Sequence, residues 1–430
     1  MPHRTSPRAC AGPSRWSGAR ALRAAHWLTL VTALGCRAPQ PPSAVGTAEA
    51  AARSSATSAV PTAGERAGER IAARWRQRLQ RACDVHGAPG VSAAALLPDG
   101  TLVTCAVGVA DQDLGSRLTA DHRMFSGSIG KTYVGALALQ LHQEGRLDLD
   151  APARTLLADP APLLAAPNGG AYTVRQLLRH ESGLPRWVFQ RAVLASVVTD
   201  RERTWSNADR LATIAGLDPL FAPGEGWAYS DTNYIVVGAI LEELLGQSIE
   251  AAVVERILEP EGLRQTHPLD GARVPNLAQG HVVTSREWGV PPRLLQDERY
   301  TVNVQFEGCG GGWASTPSDL ARWGRALWSG RHLGGAATEL ALEGVPAPRL
   351  GAGVRYGIGS MVEATPNGLL AYHDGFQFGF LSSVGHYRDL DLTVAVQLDT
   401  DDLAAPGGPV SMLMQDLAAQ AAWELRQAEL

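Results

Sequence analysis

The order of strand and helix signals along the chain most limits what it can fold into. In "GVSAAALLPDGTLVTCAVGVAD" (90–111) two apolar runs flank Pro98-Asp99-Gly100, which predicts a hairpin. Three further strand-like runs, "LLAYHDG", "GFLSSVGHYRD" and "LDLTVAVQLDT", follow one another from residue 369 to residue 400. Helical patterns fill the space between. Strands at both ends with helices in the middle predict an α+β fold: an antiparallel sheet built from the N- and C-terminal segments, flanked by helices, with a mostly helical domain inserted.

The helices carry their own punctuation. Residues 67–84 have helical spacing, and Ile129 to Gln143 reads as an apolar helix that begins near Ser128. Thr173 with Gln176 forms the pattern of a capping box, and Thr316, Pro317 and Asp319 open another helix in the same way. Gly246 closes "DTNYIVVGAILEELLG", "SIEAAVVERILEPEG" starts on Ser248 and stops near Pro260, and an apolar-faced helix is expected from Pro409 to Leu430.

The first 35 residues are of another kind. "MPHRTSPRACAGPSRWSGARALR" holds five arginines and no acid, and a short apolar run ends at Cys36. That is the pattern of an export signal, with an apolar run too short for the ~20 residues a bilayer span takes. Leu34-Gly35-Cys36 resembles a bacterial lipoprotein signal, which makes Cys36 a lipidation candidate, although Ala33 stands where leucine is usual. Residues 36–66 are rich in Ala, Ser, Pro and Thr and read as a flexible tether. The expected organisation is therefore a signal over 1–35, a tether over 36–66 and one domain over 67–430. The expected location is the cell envelope, periplasmic or attached to the bacterial membrane by a lipid anchor.

Charge and cysteine content narrow the function. The formal charge is −5, and removing the first 35 residues leaves 33 cations against 43 acids, a net charge of −10. No basic footprint for nucleic acid is present. Cys83, Cys105 and Cys309 remain in the expected domain; a Cys83–Cys105 disulfide and three free thiols both fit an exported protein. No CxxC or HExxH pattern occurs, and the histidines show no metal-ligand spacing. No metal or organic cofactor is implied.

The chemistry starts from a bias. Of 38 Lys+Arg residues only Lys131 is a lysine. Arginine stays charged, whereas a buried lysine can shed its proton. Lys131 lies in "MFSGSIGKTYVG", three residues after Ser128, so the two share one face of the helix start. Gly130-Lys131-Thr132 also resembles the tail of a phosphate loop, but that loop needs a glycine where Phe125 stands. Two more motifs follow in order: Tyr229-Ser230-Asp231, 101 residues after Ser128, and His373-Asp374-Gly375, 144 residues later on a strand.

In that order the motifs resemble the serine β-lactamase and penicillin-binding family, nearest its class C β-lactamase, D-alanyl-D-alanine carboxypeptidase and esterase branch. The resemblance covers roughly residues 68–425 and includes "HESGLP", "YSDTNY" and "GGWASTPSDLARWGRAL". It implies Ser128 as nucleophile of an acyl-enzyme, Lys131 and Tyr229 as the groups that take its proton, and the amides of Ser128 and Phe376 as an oxyanion hole. Asp231, His373, Asp374, Gly375 and Phe376 would meet the substrate, a small-molecule or peptide acyl compound. Taken singly, Tyr229 could equally be a packing tyrosine before a helix, and the alternative for His373 is a strand histidine bonded to solvent; His180 reads as structural. Glycines 308 and 310–312 either line the site or make a turn, and Cys309 beside them reads as a buried thiol.

Two positions depart from the family pattern. Asp231 stands where many relatives have Asn, and an ionised Asp only accepts hydrogen bonds and would pair with Lys131. Asp374 stands where many have Thr, and would repel a substrate carboxylate unless it turned away or were held by His373. Both favour an esterase or amidase for neutral or cationic acyl substrates. The alternatives are a D-alanyl-D-alanine carboxypeptidase or β-lactamase, and a non-catalytic ligand-binding member.

Overall fold

The structure, a computed structural model, describes residues 62–428. The expected signal, Cys36 and the tether up to residue 61 lie outside the described residues. The first helix spans Ala63–His86, so it begins four residues before the expected start. Thr62 and Glu65 explain the difference, because they form a reciprocal capping box at its first turn.

Nine antiparallel strands form the main sheet. Their spatial order is Ser116–Arg117, Leu102–Asp111, Gly90–Leu96, Leu392–Leu398, Phe380–Tyr387, Gly368–Gln377, Met361–Thr365, Arg355–Tyr356 and Val345–Pro346. The two ends of the chain meet in the middle, where Ala94 lies opposite Ala395. The hairpin turns at Gly100 (φ 89°), a left-handed conformation that glycine adopts without strain.

Both faces of the sheet are covered, so its central strands are buried along their whole length instead of alternating. On one face Ala93, Ala95, Val394 and Val396 pack with Trp75 of the first helix and Leu413 and Leu417 of the last helix, Val410–Ala428. Trp75 Nε1 also donates to the Leu417 carbonyl at 2.9 Å, joining the two helices. On the other face Ala94, Ala395 and Val384 meet the helix Pro317–Trp328 and the inserted helical region. Each large side chain buried here contributes roughly 1.5–3 kcal/mol relative to exposure.

Local signals behave as read with one exception. Thr173 and Gln176 form their capping box, and Gly246 (φ 70°) ends the helix Asp231–Leu245. Thr316 caps its helix by accepting from Asp319 N, but the Asp319 carboxylate does not return to Thr316. It accepts from Gln265 N at 2.7 Å and Thr266 Oγ1 at 3.2 Å, a long-range use that spacing could not show. Cys83, Cys105 and Cys309 are free thiols. Among the described residues no helix is long and apolar enough to cross a membrane.

Candidate active site

Ser128 sits where a short strand becomes a helix. Met124–Phe125 pairs with Trp313–Ser315, and a tight turn over Gly127–Ile129 then feeds the helix Gly130–Gln143. Gly127 has φ 52°, and a Cβ there would lie 2.7 Å from both the N and the O of Phe376. A Cβ on Gly375 would lie 1.9 Å from the Ser126 carbonyl oxygen. The turn carrying Ser128 therefore presses bare backbone against the strand Gly368–Gln377, and this contact brings the Phe376 amide beside the Ser128 turn.

Lys131 is fully buried. Its Nζ donates to Ser128 Oγ at 3.0 Å, to Asp231 Oδ1 at 2.8 Å and to the Gly310 carbonyl. Burial works against its charge, but Asp231, with Tyr229 and Glu307, outweighs it and raises the pKa. The resting amine is thus an ammonium ion.

Tyr229 is enclosed beside this ion, with Lys131 Nζ 5.1 Å from its ring centroid. Its Oη makes no hydrogen bond of regular geometry. Burial, with the Asp231 charge, raises the phenol's pKa, and the opposing pull of Lys131 and the Ser128 hydroxyl does not reverse this. His180, as expected, is structural. It adopts φ 63°, packs with its centroid 4.3 Å from that of Tyr229 at a tilt of 42°, and accepts at Nδ1 from Asn233 Nδ2 (2.8 Å) and Ser230 N (3.3 Å).

Asp231 pairs with Lys131 as the residue types suggested, and with a second cation that the motifs did not reveal. Arg186 binds its other oxygen through Nε at 2.7 Å and Nη2 at 2.6 Å. Burial alone would raise the Asp231 pKa; Arg186 and Lys131 reverse this and hold the carboxyl well below the usual range. Arg186 lies within the quoted resemblance, just after "HESGLP", but one arginine among 37 carries no signal of its own.

The strand motif requires two corrections. His373 was expected to meet substrate, but it is fully buried and both ring nitrogens are used. Nδ1 faces the Asp374 carbonyl at 2.7 Å, which can only accept, so Nδ1 carries the proton and Nε2 accepts from Tyr356 Oη at 3.0 Å. Burial and the Lys131 charge lower its pKa to about 3, so the ring is neutral. It forms a wall behind Tyr229 and Lys131.

Asp374 was expected in the site and points the other way. Neighbouring residues of a strand face opposite sides. With His373 toward Lys131, Asp374 turns to the face covered by the last helix, where it accepts from Ser383 Oγ at 2.7 Å and interacts with Ser411. Gly375 returns to the site side, against Ser126.

Of the glycines, Gly310 lines the site by holding Lys131 and Gly311 packs against Gly127, whereas Gly308 (φ 47°) makes the turn beside Arg210. Cys309 is buried, packed against Gly238. Glu307, which the sequence reading passed over, joins this group through its field on Lys131 and Asp231.

Residues 74–419 match the family model described as Beta-lactamase, and the chain belongs to that family. It is 30% identical over 230 residues to penicillin-binding protein 4* of Bacillus subtilis (strain 168), covering 50% of this chain and 49% of that one. It is 34% identical over 167 residues to the esterase EstB of Burkholderia gladioli, covering 37% and 42%. The chain spans about half the length of the curated relatives it matches. A solved structure of a D-stereospecific amidohydrolase from Streptomyces superposes with a TM-score of 0.67 at 30% identity, covering 77% of this chain and 94% of that one. D-amino acid amidase from Ochrobactrum anthropi SV3 shares the fold, with a TM-score of 0.69 at 21% identity over 85% of this chain and all of that one.

Proposed function

We propose that the protein is a serine hydrolase that opens ester or amide bonds through an acyl-enzyme on Ser128. The observation that carries this is the placement of the chain's single lysine, fully buried, 3.0 Å from Ser128 Oγ. Ser128 Oγ attacks the carbonyl carbon and loses its proton to the Lys131–Tyr229 pair. Asp231 and the Gly310 carbonyl favour the charged amine and burial favours the neutral phenol, so the pair must first lose one proton before it accepts that of Ser128. The amides of Ser128 and Phe376 receive the oxyanion, an interaction worth roughly 3–4 kcal/mol per donor in other enzymes. Collapse expels the alcohol or amine, which takes the proton back. Water then attacks the ester in the same way, releasing the acid and restoring Ser128.

A second reading, a D-alanyl-D-alanine carboxypeptidase or β-lactamase, gains from the position of Asp374. That carboxylate faces away from Ser128 and no longer opposes an anionic substrate. The preference for neutral or cationic acyl groups then rests on Asp231. The family relatives include both penicillin-binding proteins and an esterase.

The test is hydrolysis of p-nitrophenyl butyrate by the protein and by Ser128→Ala, with mass spectrometry for the acyl adduct. Activity and adduct lost together in the variant support the reading; equal activity in both removes it. Faster turnover of a cephalosporin than of the ester would favour the second reading. The proposed location is the cell envelope, resting on the composition of residues 1–35 and on Cys36. A lipid-bearing N-terminal Cys36 in the membrane fraction would support it, and a mature protein that retains residues 1–35 would oppose it.

A further inference from the structure

The Lys131–Tyr229 pair gives up a proton to solvent before it takes one from Ser128, and Asp231 opposes that loss. With Lys131 as its only counter-ion, neutralising the amine would leave a carboxylate stranded in the interior, which is strongly destabilising. Arg186 changes this. Its Nε and Nη2 both reach Asp231 Oδ2, at 2.7 and 2.6 Å, while Lys131 holds Oδ1 at 2.8 Å. Arginine keeps its charge where lysine can lose it. Of the two cations, Arg186 does more than Lys131 to keep Asp231 ionised.

The fold fixes Arg186 from both sides of Asp231. The Pro185 carbonyl accepts from Ser230 Oγ at 3.2 Å and from Thr232 Oγ1 at 2.6 Å, and Trp187 N donates to Thr232 Oγ1 at 3.0 Å. Residues 185–187 are thus strapped to the two neighbours of Asp231. The guanidinium lies 4.4 Å from the Phe189 ring centroid and 5.4 Å from that of Tyr229, and Lys131 Nζ lies 5.1 Å from the same Tyr229 centroid. Two cations this close to one phenol favour loss of a proton from the pair, because like charges repel. The other titratable groups facing the pair are Asp231, Glu307, His180, His373, Tyr234 and Tyr356. None of these carries a permanent positive charge, and burial keeps both histidines neutral.

We propose that Arg186 is a positioning residue: it holds the Asp231 carboxylate while the Lys131–Tyr229 pair sheds its proton, and so lets that pair act as a base beside a buried acid. The assignment rests on reading the pair as the group that activates Ser128. It also accounts for Asp231 at a place where many relatives have Asn. A carboxylate between two cations leaves one net positive charge, the same as a neutral amide beside Lys131 alone.

The test is the titration of Lys131 in the full chain and in Arg186→Gln. The chain has a single lysine, so isotope-labelled lysine gives an NMR signal from Lys131 alone. That signal should begin to titrate about one pH unit higher in Arg186→Gln than in the wild type, the scale of one nearby charge. A merely structural Arg186 predicts the opposite sign, because an unanchored Asp231 would turn away from Lys131 and the titration would begin lower. A downward shift, or none, overturns the proposal. The rising limb of kcat/KM for p-nitrophenyl butyrate should move up with the signal in Arg186→Gln and return in Arg186→Lys, which keeps the charge and is read by kinetics alone. A limb that stays in place in Arg186→Gln overturns the proposal as well. An upward shift of the signal in a protein that cleaves no ester supports the role of Arg186 and removes only the hydrolase reading. Should Arg186→Gln not fold, Arg186→Met, which keeps an apolar stem against Phe189, is read in the same way.

Discussion

Lys131 Nζ and Asp231 Oδ1 lie 2.8 Å apart, and neither side chain is more than 7% exposed. A buried pair this close fixes the charge of both groups, because separating them would leave an uncompensated charge in the interior. Asp231→Asn removes the largest influence that raises the Lys131 pKa. The other groups facing Lys131 are Tyr229, Glu307, His180 and His373, and none replaces that charge. The rising limb of the kcat/KM profile for a neutral ester should therefore move to lower pH in Asp231→Asn. A limb that stays in place would show that Lys131 is not the group titrating there.

Lys131→Arg keeps a cation beside Asp231 but supplies one that does not give up its proton. It should lower kcat for ester hydrolysis by about 10²–10⁴-fold, the usual contribution of a proton-transfer group. Stopped-flow release of p-nitrophenol would read acylation directly. A loss of less than about tenfold would assign Lys131 a purely electrostatic role.

Asp374→Asn tests the face of the strand. The side chain turns away from Ser128, so ester kcat/KM should change by less than about threefold, as for substitutions that leave an active site untouched. Stability should respond instead. Burial pushes the Asp374 pKa up to about 6, above the ~3.9 of an unfolded aspartate. Its contribution to stability is therefore full below pH ~4 and lost as pH rises through 6. Thermal melts from pH 4 to 7.5 should show a larger fall for the wild type than for Asp374→Asn, with the difference kept small by the residue's remaining exposure.

Tyr356→Phe removes the donor to His373 Nε2, 3.0 Å away in a fully buried setting. The unpartnered nitrogen should cost about 1–3 kcal/mol, read as a lower urea midpoint at unchanged m-value. A midpoint equal to wild type would mean that another group satisfies His373.

Gly127→Ala puts a methyl group 2.7 Å from the Phe376 backbone at φ 52°. The turn must move away from the strand, which separates Ser128 from the Phe376 amide. Ester kcat should fall at least about 100-fold, the effect of losing one oxyanion donor. Wild-type activity in this variant would exclude Phe376 from that role.

The residues alone make legible the order of elements, the sheet drawn from both ends, and the Ser128–Lys131 pair. These follow from period, turn chemistry and a three-residue spacing on a helix, all local along the chain. The residues also announce the Lys131–Asp231 pairing, because an acid brought near a buried amine has little alternative. Packing in three dimensions settled which face of its strand Asp374 shows, because a period of two fixes the alternation but not which set of residues meets the site. Only it brought Arg186, Tyr356 and Glu307 to the site, from stretches whose local sequence shows nothing unusual. Charge and hydrogen bonding act through space, and their partners here lie from 17 to 179 residues apart in the chain.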